Sequence, residues 1–141
     1  MSNKQFPISD EEIKKHKVAG KADIKVSIGK EVHLYPVQDI FGYLSWSGLD
    51  GEWPTSIRIH YGSDLKAGSH TFEASDLRLT YRDQHGHERF RPTSGKVHVV
   101  VERPEFGTDF KHIGSLEDVA YSDEEPTIRL NGTYTVSSES H

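Results

Sequence analysis

The sequence contains no cysteine, which excludes thiol nucleophiles, thiolate metal sites and disulfide cross-links together. It also has no apolar run near the roughly 18 residues that a membrane-spanning helix needs. The opening residues, Met1-Ser2-Asn3-Lys4-Gln5-Phe6-Pro7, lack the hydrophobic stretch of a signal peptide. A soluble, cytoplasmic protein without membrane association is therefore expected. Basic side chains are outnumbered, with 17 Lys and Arg against 22 Asp and Glu and a net charge of −5. No long basic tract offsets that charge, so a sequence-independent grip on nucleic-acid phosphates is not expected. There is no GxSxG element, no HExxH helix and no glycine-rich phosphate loop ahead of a helix. Those gaps remove the familiar signatures of serine hydrolases, zinc proteases and nucleotide-loop enzymes.

What is present suits one globular domain. The hydrophobic residues make up 33% of 141, and the 12 glycines raise the apolar share to about 42%, well above a disordered chain. Near the start, Ser9 and Glu12 have the spacing of a capping box, and Ile8 and Ile13 that of a hydrophobic staple. Asp10 and Glu11 favour the positive helix start, Lys14, Lys15 and Lys17 the negative end, and Gly20 the stop. These signals predict a short N-terminal helix over 9–19. It is too short to persist unaided, so Ile13 and Val18 are expected to dock on one end of the remaining structure.

After Gly20 the hydrophobic period falls to two. Ile24, Val26 and Ile28 alternate with Lys25 and Ser27, and the same pattern recurs at Ile57–Tyr61, Leu77–Tyr81, Val97–Val101 and Ile128–Val136. Within the fourth of these, Val100 breaks the polar row. Turn signals separate the segments, among them Gly29-Lys30, Gly62-Ser63-Asp64 and Asp83-Gln84-His85-Gly86. The reading is an all-β, antiparallel barrel or sandwich of eight or nine strands within 22–136. The strands are placed near 22–28, 31–36, 40–47, 56–61, 70–81, 87–91, 95–103, 110–120 and 126–136.

The second half carries a recurring cadence: Ser94-Gly95-Lys96-Val97-His98-Val99, then Ile113-Gly114-Ser115-Leu116, then Ile128-Arg129-Leu130-Asn131-Gly132-Thr133-Tyr134-Thr135-Val136. Over roughly 56–136 this resembles the small bacterial calycin-like β-barrel domains of unknown function. The resemblance implies a barrel in which Gly114 and Gly132 relieve clashes where strands coil. It implies no catalytic residues, and with no lipidation cysteine here it implies no membrane anchor.

Three places could carry function. Phe41, Tyr43, Trp46 and Trp53 cluster with Gly42, Gly48 and Gly51. Tyr43, Trp46 and Trp53 at a barrel mouth could stack on a sugar ring or hold a small apolar ligand. His85 and His87, flanked by Asp83 and Glu88, have the i, i+2 spacing to share a metal on a strand, although a solvated turn explains the same residues. His33, His60 and His98 fall on polar rows with Arg58, Arg78 and Arg129, and could form one outward strip for an acidic partner. Ordinary solvated ion pairs would account for that strip equally. The reading that results is a non-catalytic binding module for a small molecule or glycan, with no cofactor. A protein-interaction or inhibitor domain stands as the alternative, and a metal-dependent enzyme at His85 and His87 as the third.

Overall fold

The structure, a computed structural model, describes residues 18–138. The helix expected over 9–19 thus lies outside the described residues up to position 17. At its end Val18 is irregular and Ala19 already opens a strand. The strands are β1 (Ala19–Ile28), β2 (Glu31–Tyr35), β3 (Asp39–Tyr43), β4 (Trp46–Asp50), β5 (Ser56–His60) and β6 (Gly68–Glu73). After a 3-10 turn (Ala74–Asp76) come β7 (Arg78–Arg82), β8 (Glu88–Arg89), β9 (Ser94–Glu102), β10 (Lys111–Tyr121) and β11 (Ile128–Ser137).

The fold is all-β and every pairing is antiparallel. The strands form two sheets, ordered β2-β1-β11-β10-β9-β6 and β3-β4-β5-β7-β8. Their ladders do not join into a closed barrel among the described residues, so the barrel half of the expectation gives way to two facing sheets.

Eleven strands stand where eight or nine were expected, because two long segments each divide. The segment 40–47 folds back at Leu44-Ser45, so that Tyr43 pairs with Trp46. The Leu44 and Ser45 carbonyls accept from the Leu65 and Tyr61 amides, which settles the turn without glycine or asparagine. The segment 70–81 breaks at the 3-10 turn, where Leu77 N donates to Ala74 O and buried Ala74 plugs the corner. That corner carries the chain from one sheet to the other. The inward row shifts phase across it, from Phe72 and Ala74 to Leu77, Leu79 and Tyr81, a step of three that one continuous strand does not accommodate.

The two inner faces share one core. Ile24, Val26, Val97, Val99, Leu130 and Val136 of the six-stranded sheet meet Leu49, Ile57, Ile59, Leu79 and Tyr81 of the other. Buried hydroxyls cross between the sheets: Tyr35 donates to Leu49 O, Tyr121 to Leu79 O, and Tyr61 and Tyr134 share a hydrogen bond of 2.8 Å. Tyr134 packs on Gly114, its register partner, where an added Cβ would lie 2.1 Å from the ring. Gly132, at φ +144, lets β1 approach to a distance that would put a Cβ 2.1 Å from Asp23 O. Both glycines expected to relieve clashes therefore do so, and the contacts are now named.

Gly114→Ala should lower stability by about 1–3 kcal/mol, because the ring it displaces is itself hydrogen-bonded across the core. Urea unfolding followed by circular dichroism measures this. An unchanged midpoint would show that Tyr134 does not depend on the gap.

Candidate functional site

A groove of about 630 Å³ lies on the outer face of the six-stranded sheet, across β9, β10, β11 and β1. Strand register builds it. One row runs Ser69, Val100, Ile113, Thr135 and Lys21, and the next runs Thr71, His98, Ser115, Thr133 and Asp23. Four strands at the usual spacing make it roughly 14 Å long, and two rows make it roughly 7 Å wide. The side chains of the residues between these rows point inward to the core. The floor is therefore backbone overlaid by short hydroxyl side chains, with Lys21 and His98 among the longer groups at its sides.

A bulge shapes one end. The β10 register shifts between Leu116 and Val119, and Asp118 sits at φ +49. Its amide is satisfied by the Asn131 side chain at 2.9 Å, and Asn131 donates back to the Asp118 carboxylate at 3.2 Å. Such a bulge bends the strand and increases its twist.

The groove mixes hydroxyls, one carboxylate, one ammonium and an apolar strip in which Val100 and Ile113 are 43% and 37% exposed. His98 is fixed at its wall: Nε2 donates to Glu117 Oε1 at 2.8 Å, which leaves Nδ1 to accept from Thr71 Oγ1 at 3.2 Å. A hydroxyl, an imidazole and a carboxylate in line have the parts of a nucleophilic triad. The amides of β10 and β11 under the groove lie between ladders on both sides, whereas Lys21–Asp23 of β1 pair with β11 alone.

Beneath the groove the core is polar. Ser47 Oγ bonds Tyr61 OH at 2.8 Å and His112 Nδ1 at 3.0 Å, and Tyr61 OH continues to Tyr134 OH. Ser47 and His112 have no solvent exposure, so this serine–imidazole contact reaches no substrate. Burial, with the Arg103 guanidinium and His70 adding to it, holds the His112 imidazole down at about 4. Burial likewise pushes the Tyr61 phenol up to about 12. His112 is thus neutral across the physiological range.

The aromatic cluster expected to bind ligand is dispersed. Trp46 is 3% exposed and stacks on His60 at 5.8 Å, lying over Gly48. Tyr43, its register partner, is half-buried and meets Phe110 edge-on at 6.2 Å. Trp53 lies beyond the opposite end of β4, 84% exposed, with the Arg82 guanidinium 5.9 Å from its ring centroid.

His85 and His87 occupy the turn between β7 and β8, where Asp83 Oδ1 accepts both of their amides. The His87 ring turns to Glu124 at 3.4 Å. Among the described residues no group of three His, Asp or Glu is placed to hold a metal. The histidine–arginine strip is split: His60, Arg58 and Arg78 lie on the five-stranded sheet, while His98 and Arg129 lie on the other. His33, on β2, pairs with Glu31 at 3.1 Å.

The groove was not singled out from sequence, yet one signal pointed to it. Val100 interrupts a polar row, and in the structure it is the exposed apolar part of the groove wall. Among the described residues no helix is long and apolar enough to cross a membrane. No protein-family model, no curated protein and no solved structure matches the chain.

Protonating buried His112 must cost stability. Its folded pKa is depressed below the unfolded value of about 6.5, so the unfolded state binds the proton first. Stability is full above that value and falls as the pH drops towards 4, at about 1.4 kcal/mol per unit for this one group. His112→Asn should flatten the slope relative to wild type in urea unfolding between pH 6.5 and 4.5. Parallel slopes would place the acid sensitivity elsewhere.

Proposed function

We propose that the protein is a non-catalytic, cytoplasmic binding module whose seat is the groove on the six-stranded sheet, and that it takes a short glycan of two or three sugar units. The observation that carries this reading is the composition of the groove: hydroxyls of Ser115, Thr133 and Thr135 beside Asp23 and Lys21, with an apolar strip at Val100 and Ile113. A pyranose has the matching faces, ring hydroxyls for the polar row and C–H groups for the strip. The length of roughly 14 Å suits a disaccharide or trisaccharide. The likeness of 56–136 to small calycin-like domains fits a binding role and is part of the same proposal.

A glycan array followed by calorimetry on the strongest hit tests it. Ser115→Phe, which fills the groove floor, should weaken binding at least about tenfold. Trp53→Ala should leave it unchanged. Binding lost with Trp53 and kept with Phe at 115 would move the seat to the aromatic loop, and an empty array would remove the glycan reading.

One observation favours a second reading as a protein-interaction domain. Edge strand β2 leaves Val32 and Leu34 62% and 69% exposed, a surface suited to strand addition by a partner. Leu34→Lys should then abolish co-purification of a stoichiometric partner from the native host. If the same partner is recovered with both chains, β2 is not its docking edge.

A further inference from the structure

We propose that the first and last described strands carry a covalent modification site, at which Lys25 and Asn131 join in an intramolecular isopeptide bond with Asp118 carrying the proton. The register brings the two together. Lys25 of β1 and Asn131 of β11 are direct partners, and both lie on the outer face, because Ile24, Val26 and Leu130 beside them face the core. Side chains directly opposite in an antiparallel pair have Cβ atoms about 5 Å apart, within reach of a lysine amine. Gly132, next along β11, lets β1 approach closely at this point. Lys25 is exposed, and no ion pair among the described residues holds its ammonium.

The bulge in β10 prepares the other partner. The β10–β11 register passes from Leu116–Gly132 to Val119–Leu130, so Asn131 and Asp118 both fall outside that ladder. Asp118, at φ +49, turns its amide to the Asn131 side chain and donates to Oδ1 at 2.9 Å. Asn131 Nδ2 donates to the Asp118 carboxylate at 3.2 Å. These two bonds fix the plane of the side-chain amide. They also fall on the two atoms whose charge changes in an attack at Cγ. The backbone N–H meets the oxygen that becomes negative, and the carboxylate meets the nitrogen that leaves.

The step balances without an added reactant. The neutral Lys25 amine attacks Asn131 Cγ, and the Nζ–Cγ bond forms. Asp118 accepts the proton released from Nζ and passes it to Nδ2. The Cγ–Nδ2 bond then breaks and ammonia leaves. The product is a secondary amide whose oxygen stays on the Asp118 N–H. In a chain without cysteine, this bond ties the first described strand to the last, as a disulfide does elsewhere.

The Gly132 amide nitrogen is a competing nucleophile, since an Asn-Gly pair closes to a succinimide with the same loss of ammonia. The experiment therefore compares the full chain with Lys25→Arg and Asp118→Asn, each confirmed as folded by circular dichroism. Intact mass under denaturing conditions is followed during incubation, and tryptic peptides are sequenced by mass spectrometry. The expected result is a species about 17 Da below the sequence mass, with a branched peptide joining the segments that carry Lys25 and Asn131. Lys25→Arg should keep the full mass, and Asp118→Asn should form the bond at least about tenfold more slowly. A wild-type chain that holds its full mass overturns the proposal. So does a loss of ammonia that Lys25→Arg retains, which assigns it to the succinimide, or a rate that Asp118→Asn leaves unchanged.

Discussion

A buried hydroxyl must find a partner or cost stability, and this structure uses that constraint to lock two sheets together. Tyr35, Tyr61, Tyr121 and Tyr134 each hydrogen-bond across the core, and the chain Tyr134–Tyr61–Ser47–His112 runs from one sheet to the other and back. Apolar contacts alone tolerate sliding, whereas a hydroxyl–carbonyl pair accepts only one offset. The spacing and register of the two sheets follow from these bonds. No disulfide or closed ladder does that work among the described residues.

The same constraint shapes the outer surface. Tyr134 can reach Tyr61 because Gly114 has no side chain beneath its ring. The residues on either side of these positions, Ile113, Ser115, Thr133 and Thr135, then face outward and form the groove. The rigidity of the inner layer becomes preorganisation of the outer one, since β10 and β11 present both. A ligand meeting this face therefore finds side chains whose backbone is already fixed, which reduces the ordering cost of binding.

Much of the fold is legible in the residues. Period-two alternation marks β1, β5, β7, β9 and β11, and the glycines at 114 and 132 stand where strands press closest. The hairpin at Leu44-Ser45 is not legible, since it carries no turn residue of positive φ and is held by amides twenty-one and sixteen positions on. The corner at Ala74–Asp76 leaves only a small mark: the inward row steps by three, from Ala74 to Leu77, as the chain changes sheets. The site misleads most of all. Trp46 looks available because it lies on the outward row of β4, yet Gly48 leaves a gap into which its ring falls, against His60. The groove is assembled from four strands by register, and register is a long-range property that no local pattern records.

The central claim is that the six-stranded sheet, not the aromatic segment, receives the ligand. Backbone amide chemical-shift mapping with the best-binding oligosaccharide tests it most directly. The account predicts the largest shifts at His98, Val100, Ile113–Ser115 and Thr133–Thr135, with Trp46 and Trp53 unmoved. Shifts concentrated at Tyr43, Trp46 and Trp53 would contradict it.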